Sequence, residues 1–295
     1  MHVRIAVTGA SGRLGRVLCG ELISAGDDVV ALDREKLDIT RLEQVTALID
    51  RLRPDVIINC AAYNAVDAAE TNRAAAFALN ARGPALLATA ADAVGALFVH
   101  FSSDFVFDGE VNTPYTEVHP TNPLNVYGRS KLAGEAAARR APRHYVVRVS
   151  SLFGGVGVKG HRATVDYIAD SLLAGTTVRA AVDRTVTPSY APDVARATLT
   201  MLRNRVPYGT YHCANPTVTT WYELAQEVAR QLGSDTSVEA IRAADLSTLA
   251  PRPRACALAN QKLVSLGILM PTWETAIRRE LMARHTSVAA LGVRR

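Results

Sequence analysis

Cysteine is scarce in this sequence of 295 residues, and its placement suggests neither a cross-link nor a metal site. The four cysteines lie far apart, at Cys19, Cys60, Cys213 and Cys256. None belongs to a Cys-x-x-Cys pair or stands at ligand spacing from a histidine. We therefore expect reduced, mostly buried thiols and no bound metal.

Long apolar runs are also missing. None approaches the roughly 18 residues that a membrane-spanning helix requires. The first residues, MHVRIAVTGASG, enter a short strand pattern without the architecture of a signal peptide. With 48% hydrophobic and 21% charged residues, the composition is that of a globular protein. We expect a cytoplasmic protein that has no membrane partner.

Basic runs are absent too, although the formal net charge is +5. The 33 basic residues include only four lysines, and the arginines are scattered among acidic residues. A small anionic ligand explains such a mild excess, because guanidinium groups match phosphate geometry. Nucleic acid is not an expected partner.

The first half of the chain alternates strand and helix patterns. Residues 55–60 and 96–101 are near-continuous apolar runs, which are typical of strands buried on both faces of a parallel sheet. Helical patterns occupy residues 13–26, 40–52 and 74–94. This alternation predicts an α/β fold with a doubly wound parallel sheet of the Rossmann type.

The rhythm becomes irregular after residue 152. We predict a dinucleotide-binding Rossmann domain over residues 1–152, to which a segment near 180–215 returns. Residues 153–295 are then mainly a smaller substrate-binding lobe that covers the strand ends. The glycine-rich stretch 154–160 is predicted to be a mobile loop.

A glycine-rich loop, TGASGRLG (8–15), joins the first strand to the first helix. Glycines permit a tight turn and a close backbone approach, and the helix N-terminus offers free N–H groups to a pyrophosphate. The position between a strand and an amphipathic helix favours dinucleotide binding over an ordinary turn. The predicted cofactor contacts in this loop are Gly9, Ser11, Gly12, Arg13, Leu14 and Gly15.

Signals for the choice of cofactor conflict. Asp33 ends the second strand, where a carboxylate binds the adenosine ribose of NAD. Arg34, and Arg13 in the loop, are candidates for the 2′-phosphate of NADP. We favour NADP(H), with NAD(H) as the alternative. Asp38 and Ile39 stand where the adenine would lie, although Asp38 is equally suited to cap the following helix.

The stretch NVYGRSKLAGE (125–135) places Tyr127 and Lys131 one helical turn apart, on one face. A phenol titrates near 10, and a nearby ammonium stabilises the phenolate, so Lys131 is predicted to lower the pKa of Tyr127. On spacing alone, a solvent-exposed pair is equally compatible. Ser103, at the end of the 96–103 strand, could orient a substrate carbonyl against Tyr127.

The glycine triplet and the downstream Tyr-x-x-x-Lys resemble the extended short-chain dehydrogenase/reductase family. Further stretches resemble the dTDP-4-dehydrorhamnose reductases within it, in a consistent order over nearly the whole chain. These stretches are CAAYNAVDAAE (60–70), FSSDFVFDG (101–109), PYTEVHPTNPLNVYGRSKLAGE (114–135), TPSYAPDVA (187–195), TTWYELA (219–225) and APRP (250–253).

The resemblance implies an NAD(P)-dependent oxidoreductase that reduces a nucleotide-linked (dTDP-type) 4-keto-6-deoxysugar at C4. Tyr127 would donate the proton, Lys131 would hold the nicotinamide ribose, and Ser103 would steady the oxygen. Further implied cofactor contacts are Ala61, Ala62, Tyr63, Asn80 and Ser102, together with Tyr127 and Lys131. The implied substrate contacts are Ser103, Asp104, Val106, Tyr127, Ser151 and Arg252.

The predicted sugar pocket departs from the family pattern. The family reads R-T-S-W-V-Y-G where this chain reads RVSSLFG (148–154), so Ser151 replaces a tryptophan that contacts the sugar. An aromatic platform is lost, which suggests a related but different deoxysugar. A nucleotide-sugar 4,6-dehydratase is disfavoured, because Phe105 rather than a glutamate follows Asp104.

Two alternatives remain open at this point. A C4 epimerase with retained NAD uses the same tyrosine, lysine and serine, and a non-catalytic NADP-binding regulatory subunit could share the fold. The sequence does not fix the oligomeric state, for which a homodimer is one candidate.

Overall fold

The computed structural model describes residues 3–155 and 162–292, with side chains described up to residue 284. The strands are β1 (Arg4–Thr8), β2 (Asp28–Leu32), β3 (Val56–Asn59), β4 (Leu97–Ser103), β5 (His144–Val149), β6 (Leu152–Phe153), β7 (Val178–Ala181), β8 (Thr185–Val186), β9 (Ser189–Tyr190), β10 (Gly209–His212), β11 (Thr219–Thr220) and β12 (Val238–Ile241). The helices are α1 (Arg13–Ser24), α2 (Leu42–Leu52), α3 (Val66–Thr71), α4 (Arg73–Phe77), α5 (Gly83–Ala93), α6 (Val126–Ala138), α7 (Thr164–Leu173), α8 (Ala191–Asn204), α9 (Trp221–Leu232), α10 (Gln261–Ser265) and α11 (Trp273–Gly292).

A six-stranded parallel sheet forms the centre, in the order β10-β5-β4-β3-β1-β2. Its strands are apolar on both faces, as their near-continuous runs predict. Ile58 and Val99 pack into one core, while Ile57 and Phe98 pack into the other. The chain reverses its order between β1 and β3, and such a reversal opens a ligand crevice at the carboxyl ends of the strands.

Helices cover both faces of this sheet. Helices α1 and α8 pack on one face through residues such as Leu18 and Val194. Helices α2, α5 and α6 pack on the other, through residues such as Val45 and Leu87. The predicted doubly wound α/β fold is confirmed.

The predicted helical stretch 74–94 differs in one detail. A π-helical turn, Ala78–Arg82, separates α4 from α5. Pro84 has no N–H to donate into the preceding turn, which favours a wider local winding there. Gly134 of α6 fits against this turn, since a Cβ at Gly134 would lie only 2.1 Å from the Asn80 carbonyl oxygen. The wide turn therefore holds Asn80 against α6.

The second half of the chain both completes the sheet and builds a separate apolar cluster. α8 covers the sheet and β10 pairs with β5, so residues 191–212 return to the first half. The cluster lies among α7, α9 and α11 beside the paired strands β7 and β12, and it includes Phe153, Leu224 and Trp273. The predicted glycine-rich loop lies outside the described residues from 156 onward.

Two broader features concern the described part of the chain only. No helix in it is both long and apolar enough to cross a membrane, and no group of His, Cys, Asp or Glu side chains in it could hold a metal ion. The four cysteines are free thiols, as predicted.

Candidate active site

The glycine-rich loop is shaped by close backbone contacts. Gly9 adopts φ +66°, and a Cβ there would lie 2.5 Å from the Ala61 nitrogen. A Cβ at Gly15 would lie 2.3 Å from the Gly9 carbonyl oxygen. Gly12 precedes α1 as its N-cap, and its N–H donates to Gly9 O at 2.9 Å. Only glycine permits this packing, and the amino end of α1 is presented beside it, which fits a dinucleotide pyrophosphate.

The ends of β1 and β3 are held together beside this loop. Asn59 accepts hydrogen bonds from Thr8 Oγ1 at 2.7 Å and from the Ala61 N–H at 3.1 Å. Ala61, Ala62 and Tyr63 therefore follow β3 directly along the crevice, where the sequence predicts cofactor contacts.

The side chains after β2 favour binding of a phosphate. Asp33 accepts from the Lys36 N–H at 3.1 Å. Arg34 is exposed, and within the described ranges it makes neither a hydrogen bond nor an ion pair. Asp38 accepts from Thr40 Oγ1 at 2.7 Å, which helps to lower the pKa of its carboxyl, so Asp38 organises its own turn.

The loop residues Ser11, Arg13 and Leu14 have three different environments. Ser11 is exposed, and the Leu14 side chain is buried in the core, so only its backbone can face a cofactor. Arg13 donates to Asp166 Oδ2 at 2.6 Å and to the carbonyl oxygens of Gly154 and Gly155. The buried ion pair with α7 engages the Arg13 guanidinium, and its role as a 2′-phosphate ligand stays a prediction.

Ile39 and Asn80 are buried rather than open to the crevice. Ile39 packs beneath Gly83. Asn80 accepts from the Tyr63 N–H at 2.7 Å and donates to Tyr63 O and to Ser130 Oγ. Ser130 in turn donates to the Tyr127 carbonyl oxygen at 2.7 Å. Asn80 thus positions the Tyr63 loop and the start of α6 relative to each other.

Tyr127 lies in the first turn of α6, which Asn125 caps by accepting from the Gly128 N–H at 2.7 Å. Its ring is 9% exposed and meets Phe105 edge-on, with a centroid distance of 5.7 Å. Burial raises the pKa of Tyr127 to about 12; a hydrogen bond with Ser103 opposes this rise and the charge of Asp104 adds to it. The protein groups alone therefore raise this pKa rather than lower it, and the phenol is protonated at neutral pH.

Lys131 lies one turn further along α6 and is 3% exposed. Its ammonium donates to the Phe101 carbonyl oxygen at 2.6 Å. Burial lowers the pKa of Lys131 to about 8, while Glu135 and Cys60 act in the opposite direction. Lys131 is thus bound to β4 in the structure, and the causes of the pKa shift of Tyr127 are burial, Ser103 and Asp104.

Ser103 ends β4 and belongs to a small buried hydrogen-bond network. Its hydroxyl donates to Asp104 Oδ1 at 2.9 Å, and Ser150 donates to the other oxygen of that carboxyl at 2.7 Å. Burial raises the pKa of Asp104 to about 6, against the effect of both hydroxyls. The structure thus brings the predicted catalytic residues Ser103, Tyr127 and Lys131 together at the carboxyl end of β4.

Ser102 faces the other side of β4, because successive side chains of a strand alternate. Its hydroxyl lies beside Glu135, which forms a buried ion pair with Arg148. The Ser102 side chain therefore points toward Glu135 of α6. This orientation does not support the prediction that Ser102 contacts the cofactor.

A cavity of about 380 Å³ opens next to this site. Its walls include Asp104, Phe105, Ser151, Tyr167, Arg184, Trp221, Arg252 and Cys256. Three predicted substrate contacts, Asp104, Ser151 and Arg252, thus line one cavity. Val106 does not: it is fully buried against Phe107, and the prediction for it is wrong because the turn after β4 points its side chain inward.

Several cavity residues escape prediction from the sequence. Phe105 directly follows Asp104 and could have been found from that position. Arg184 carries no local signal, because only the folded lobe brings it to this cavity, whereas Cys256 stands at a departure from the family pattern. Ser151 adopts φ +46°, a strained conformation for a residue with a side chain. Such strain is common beside functional sites.

Arg252 lines the cavity and is paired with Asp67. Its guanidinium binds both carboxylate oxygens of Asp67, at 2.5 and 2.7 Å. The hydrogen bond from Arg252 lowers the pKa of Asp67 to about 2. Since Asp67 lies on α3, this pair connects the Rossmann half of the chain to its C-terminal segment.

Two features together define an extended short-chain dehydrogenase/reductase. One is the parallel sheet with a glycine-rich loop where its strand order reverses, and the other is the helix with Tyr127 and Lys131 beside Ser103 at the end of β4. The family model described as RmlD substrate binding domain matches residues 3–286. The chain belongs to this family.

Named relatives align with this chain over nearly their whole length. A probable dTDP-4,6-dihydroxy-2-methyloxan-3-one 4-ketoreductase of Streptomyces antibioticus is 38% identical over 280 residues, covering 94% of each chain. A dTDP-4-dehydrorhamnose reductase of Streptomyces griseus is also 38% identical, covering 95% of this chain and 93% of its own. The crystal structure of dTDP-4-dehydrorhamnose reductase from Bacillus anthracis in complex with NADP has a TM-score of 0.91 and 32% identity, covering 96% of this chain and 100% of that one.

Proposed function

We propose that this protein is an NADPH-dependent reductase of a dTDP-linked keto-deoxysugar, the expected substrate being a 4-keto-6-deoxysugar. One observation carries the proposal: a protonated, buried Tyr127 and the Ser103 hydroxyl lie together at the end of β4, next to a cavity large enough for a sugar nucleotide's reacting end. The names of the Streptomyces relatives support the choice of a dTDP-sugar ketone.

The bound nicotinamide supplies the hydride, which the residues of this chain cannot provide. Tyr127 donates its phenolic proton to the oxygen of the carbonyl as that carbon becomes an alcohol. The Ser103 hydroxyl, which donates to Asp104 in the structure, turns to the same oxygen and fixes its orientation. Lys131, held on Phe101 O, presents its ammonium at the end of the crevice for the nicotinamide ribose.

NADP(H) is the proposed cofactor. Arg34 stands free after β2, where an adenosine 2′-phosphate would lie, and guanidinium suits phosphate better than it suits a hydroxyl. The Bacillus anthracis relative, whose structure is a complex with NADP, supports this choice.

The substrate side is assigned to the lobe formed mainly by residues 153–295. The Ser151 position lacks the aromatic ring of the family pattern, and Cys256 lines the same cavity. The sugar subsite therefore suits a ring whose substituents differ from those of dehydrorhamnose.

A spectrophotometric panel tests the proposal. Oxidation of NADPH and NADH is followed with dTDP-linked 3-keto and 4-keto deoxysugars and with the corresponding free sugars. We expect turnover with at least one dTDP-linked ketone and preference for NADPH. Inactivity across the panel would overturn the proposal in favour of a regulatory subunit. Tightly retained NAD, with interconversion of C4 epimers and no net NADPH consumption, would instead identify an epimerase.

A further inference from the structure

Arg184 is the one arginine of the cavity wall that forms no ion pair in the described part of the chain. It lies between β7 and β8, half-buried, and its Nε is shielded from solvent without a hydrogen-bond acceptor. The other two arginines of the cavity wall are paired: Arg179 with Glu239 at 3.5 Å and Arg252 with Asp67 at 2.5 Å. Partial burial of an unpaired charge costs free energy, and together with the unpaired Nε this points to a ligand that neutralises it.

Arg184 has a second guanidinium, that of Arg252, among its charged neighbours. Burial lowers the pKa of its guanidinium, and the nearby charge of Arg252 lowers it further. An arginine nevertheless remains protonated at neutral pH. The charge of the neighbouring Asp183 acts in the opposite direction, but no hydrogen bond or ion pair joins the two side chains in the described residues, and one Asp183 carboxylate oxygen accepts from the Ala243 N–H at 2.7 Å. The cavity therefore attracts an anion at this position.

The backbone around Arg184 is firmly placed. The Thr185 N–H donates to Arg254 O at 2.9 Å, and the Cys256 N–H donates to Thr185 O at 3.2 Å. Cys256 also donates from its thiol to Asp104 O at 3.7 Å, which links this segment to the turn after Ser103. Arg184 thus lies on a fixed element that is joined to the reacting end of the cavity.

We propose that Arg184 binds the diphosphate of the nucleotide-linked substrate, next to the Asp67–Arg252 pair. The guanidinium donates to phosphate oxygens, which removes its unpaired charge and fixes the distance between the sugar and Tyr127. The walls beyond it are mainly apolar and include Ile168, Val186 and Trp221, which suits the less polar base end of a nucleotide. This assignment rests on the proposed function for the identity of the substrate class.

Calorimetric titration with dTDP and with thymidine tests the assignment, in the presence of saturating NADP⁺. Arg184→Gln should weaken dTDP binding about tenfold or more, because a charge-assisted hydrogen bond is lost, and should leave thymidine binding within about threefold. Arg184→Lys should recover part of the dTDP affinity. The matched control is Arg179→Gln, which removes the same charge from the exposed, paired arginine of the cavity wall. The control should leave dTDP binding within about threefold.

Two results of the titration would overturn the assignment. One is dTDP affinity unchanged in Arg184→Gln. The other is an equal loss for dTDP and thymidine, since Arg184 would then support the cavity rather than the phosphates. Turnover is measured separately: if dTDP binding depends on Arg184 but no nucleotide sugar is reduced, the proposed reaction fails and the phosphate assignment stands. If sugars are reduced and Arg184→Gln leaves their KM unchanged, the assignment alone fails.

Discussion

The Lys131 ammonium donates a hydrogen bond of 2.6 Å to the Phe101 carbonyl oxygen. This contact fastens α6 to β4 two residues before Ser103, so the helix that carries Tyr127 cannot shift without moving the strand end. It also keeps a cation in the interior, where Glu135 lies one turn further along and Cys60 and His100 are close enough to sense its charge. The titration of Lys131 therefore concerns both activity and stability.

We predict that kcat/KM for the reduction falls as the pH rises above about 8, because Lys131, whose pKa burial lowers to about 8, loses its proton there. Arginine stays protonated over this range, so the residual activity of Lys131→Arg should lack this basic limb. The pH–rate profiles of both proteins provide the measurement. An unchanged limb in the arginine variant would contradict the assignment.

The titration of Lys131 also predicts how the free energy of unfolding changes with pH. The pKa of Lys131 is about 8 in the folded protein and 10.5 for an ordinary lysine. Between these values the unfolded chain binds more protons, so this group makes the free energy of unfolding rise with pH. Urea unfolding of the wild type and of Lys131→Met at pH 8 and pH 10 measures the difference. The wild type should gain stability relative to the variant as the pH rises, and a relative loss would refute the prediction.

Tyr127→Phe should reduce kcat by about 10²- to 10⁴-fold while leaving NADPH affinity within a few fold, because it removes only the hydroxyl that we propose as the proton donor. Single-turnover kinetics and NADPH fluorescence titration measure the two effects. Tyr115→Phe is a matched control, since that phenol is also buried but donates to Asp108 at 2.6 Å, within a separate apolar cluster. Comparable losses in both variants would mean that packing, rather than proton donation, explains the effect.

Local sequence signals predicted the sheet, the glycine loop and the tyrosine–lysine helix, because each depends on neighbours a few residues away. Arg13 shows the limit of such signals. Its partner Asp166 lies 153 residues along the chain, and only the folded lobe brings the two within 2.6 Å. The unpaired charge of Arg184 is likewise a property of the assembled cavity, since Arg184 differs from the other arginines only in what surrounds it.

The pKa of Tyr127 escaped prediction for a related reason. Helical spacing correctly places Lys131 one turn away, but it does not reveal that a carbonyl of β4 accepts from the ammonium. Nor does spacing show how completely the phenol is buried, and burial is the larger effect on its pKa. The folded environment, rather than the spacing in the sequence, decides the hydrogen bond of Lys131 and the pKa of Tyr127.

Arg34 and Arg13 are predicted to differ in their effect on the preference for NADPH over NADH. Arg34→Gln should raise the KM for NADPH by about 10- to 100-fold and leave that for NADH nearly unchanged, because a charge-assisted phosphate contact worth about 1.5–3 kcal/mol is lost. Arg13→Gln should not change the ratio of the two KM values, since Arg13 binds Asp166. Steady-state kinetics with both cofactors measure the ratio. A larger change in Arg13→Gln than in Arg34→Gln would reverse the assignment.

A buried ion pair beneath the catalytic helix gives the last prediction. Arg148 and Glu135 form two hydrogen bonds of 2.8 Å, and their side chains are 2% and 0% exposed. Burial alone would raise the pKa of Glu135, but the hydrogen bond and charge of Arg148 outweigh it and lower that pKa. Arg148→Met leaves the carboxylate buried without its main partner.

The expected loss in Arg148→Met is about 3–5 kcal/mol in the free energy of unfolding. The double variant Arg148→Met/Glu135→Leu should recover much of it, because no uncompensated charge remains in the interior. Arg139 also binds Glu135, but its side chain is 38% exposed. Arg139→Ala should therefore cost less than about 1 kcal/mol. Urea denaturation of the four proteins measures these differences, and equal losses in the two single variants would show that burial does not set the strength of the Arg148–Glu135 pair.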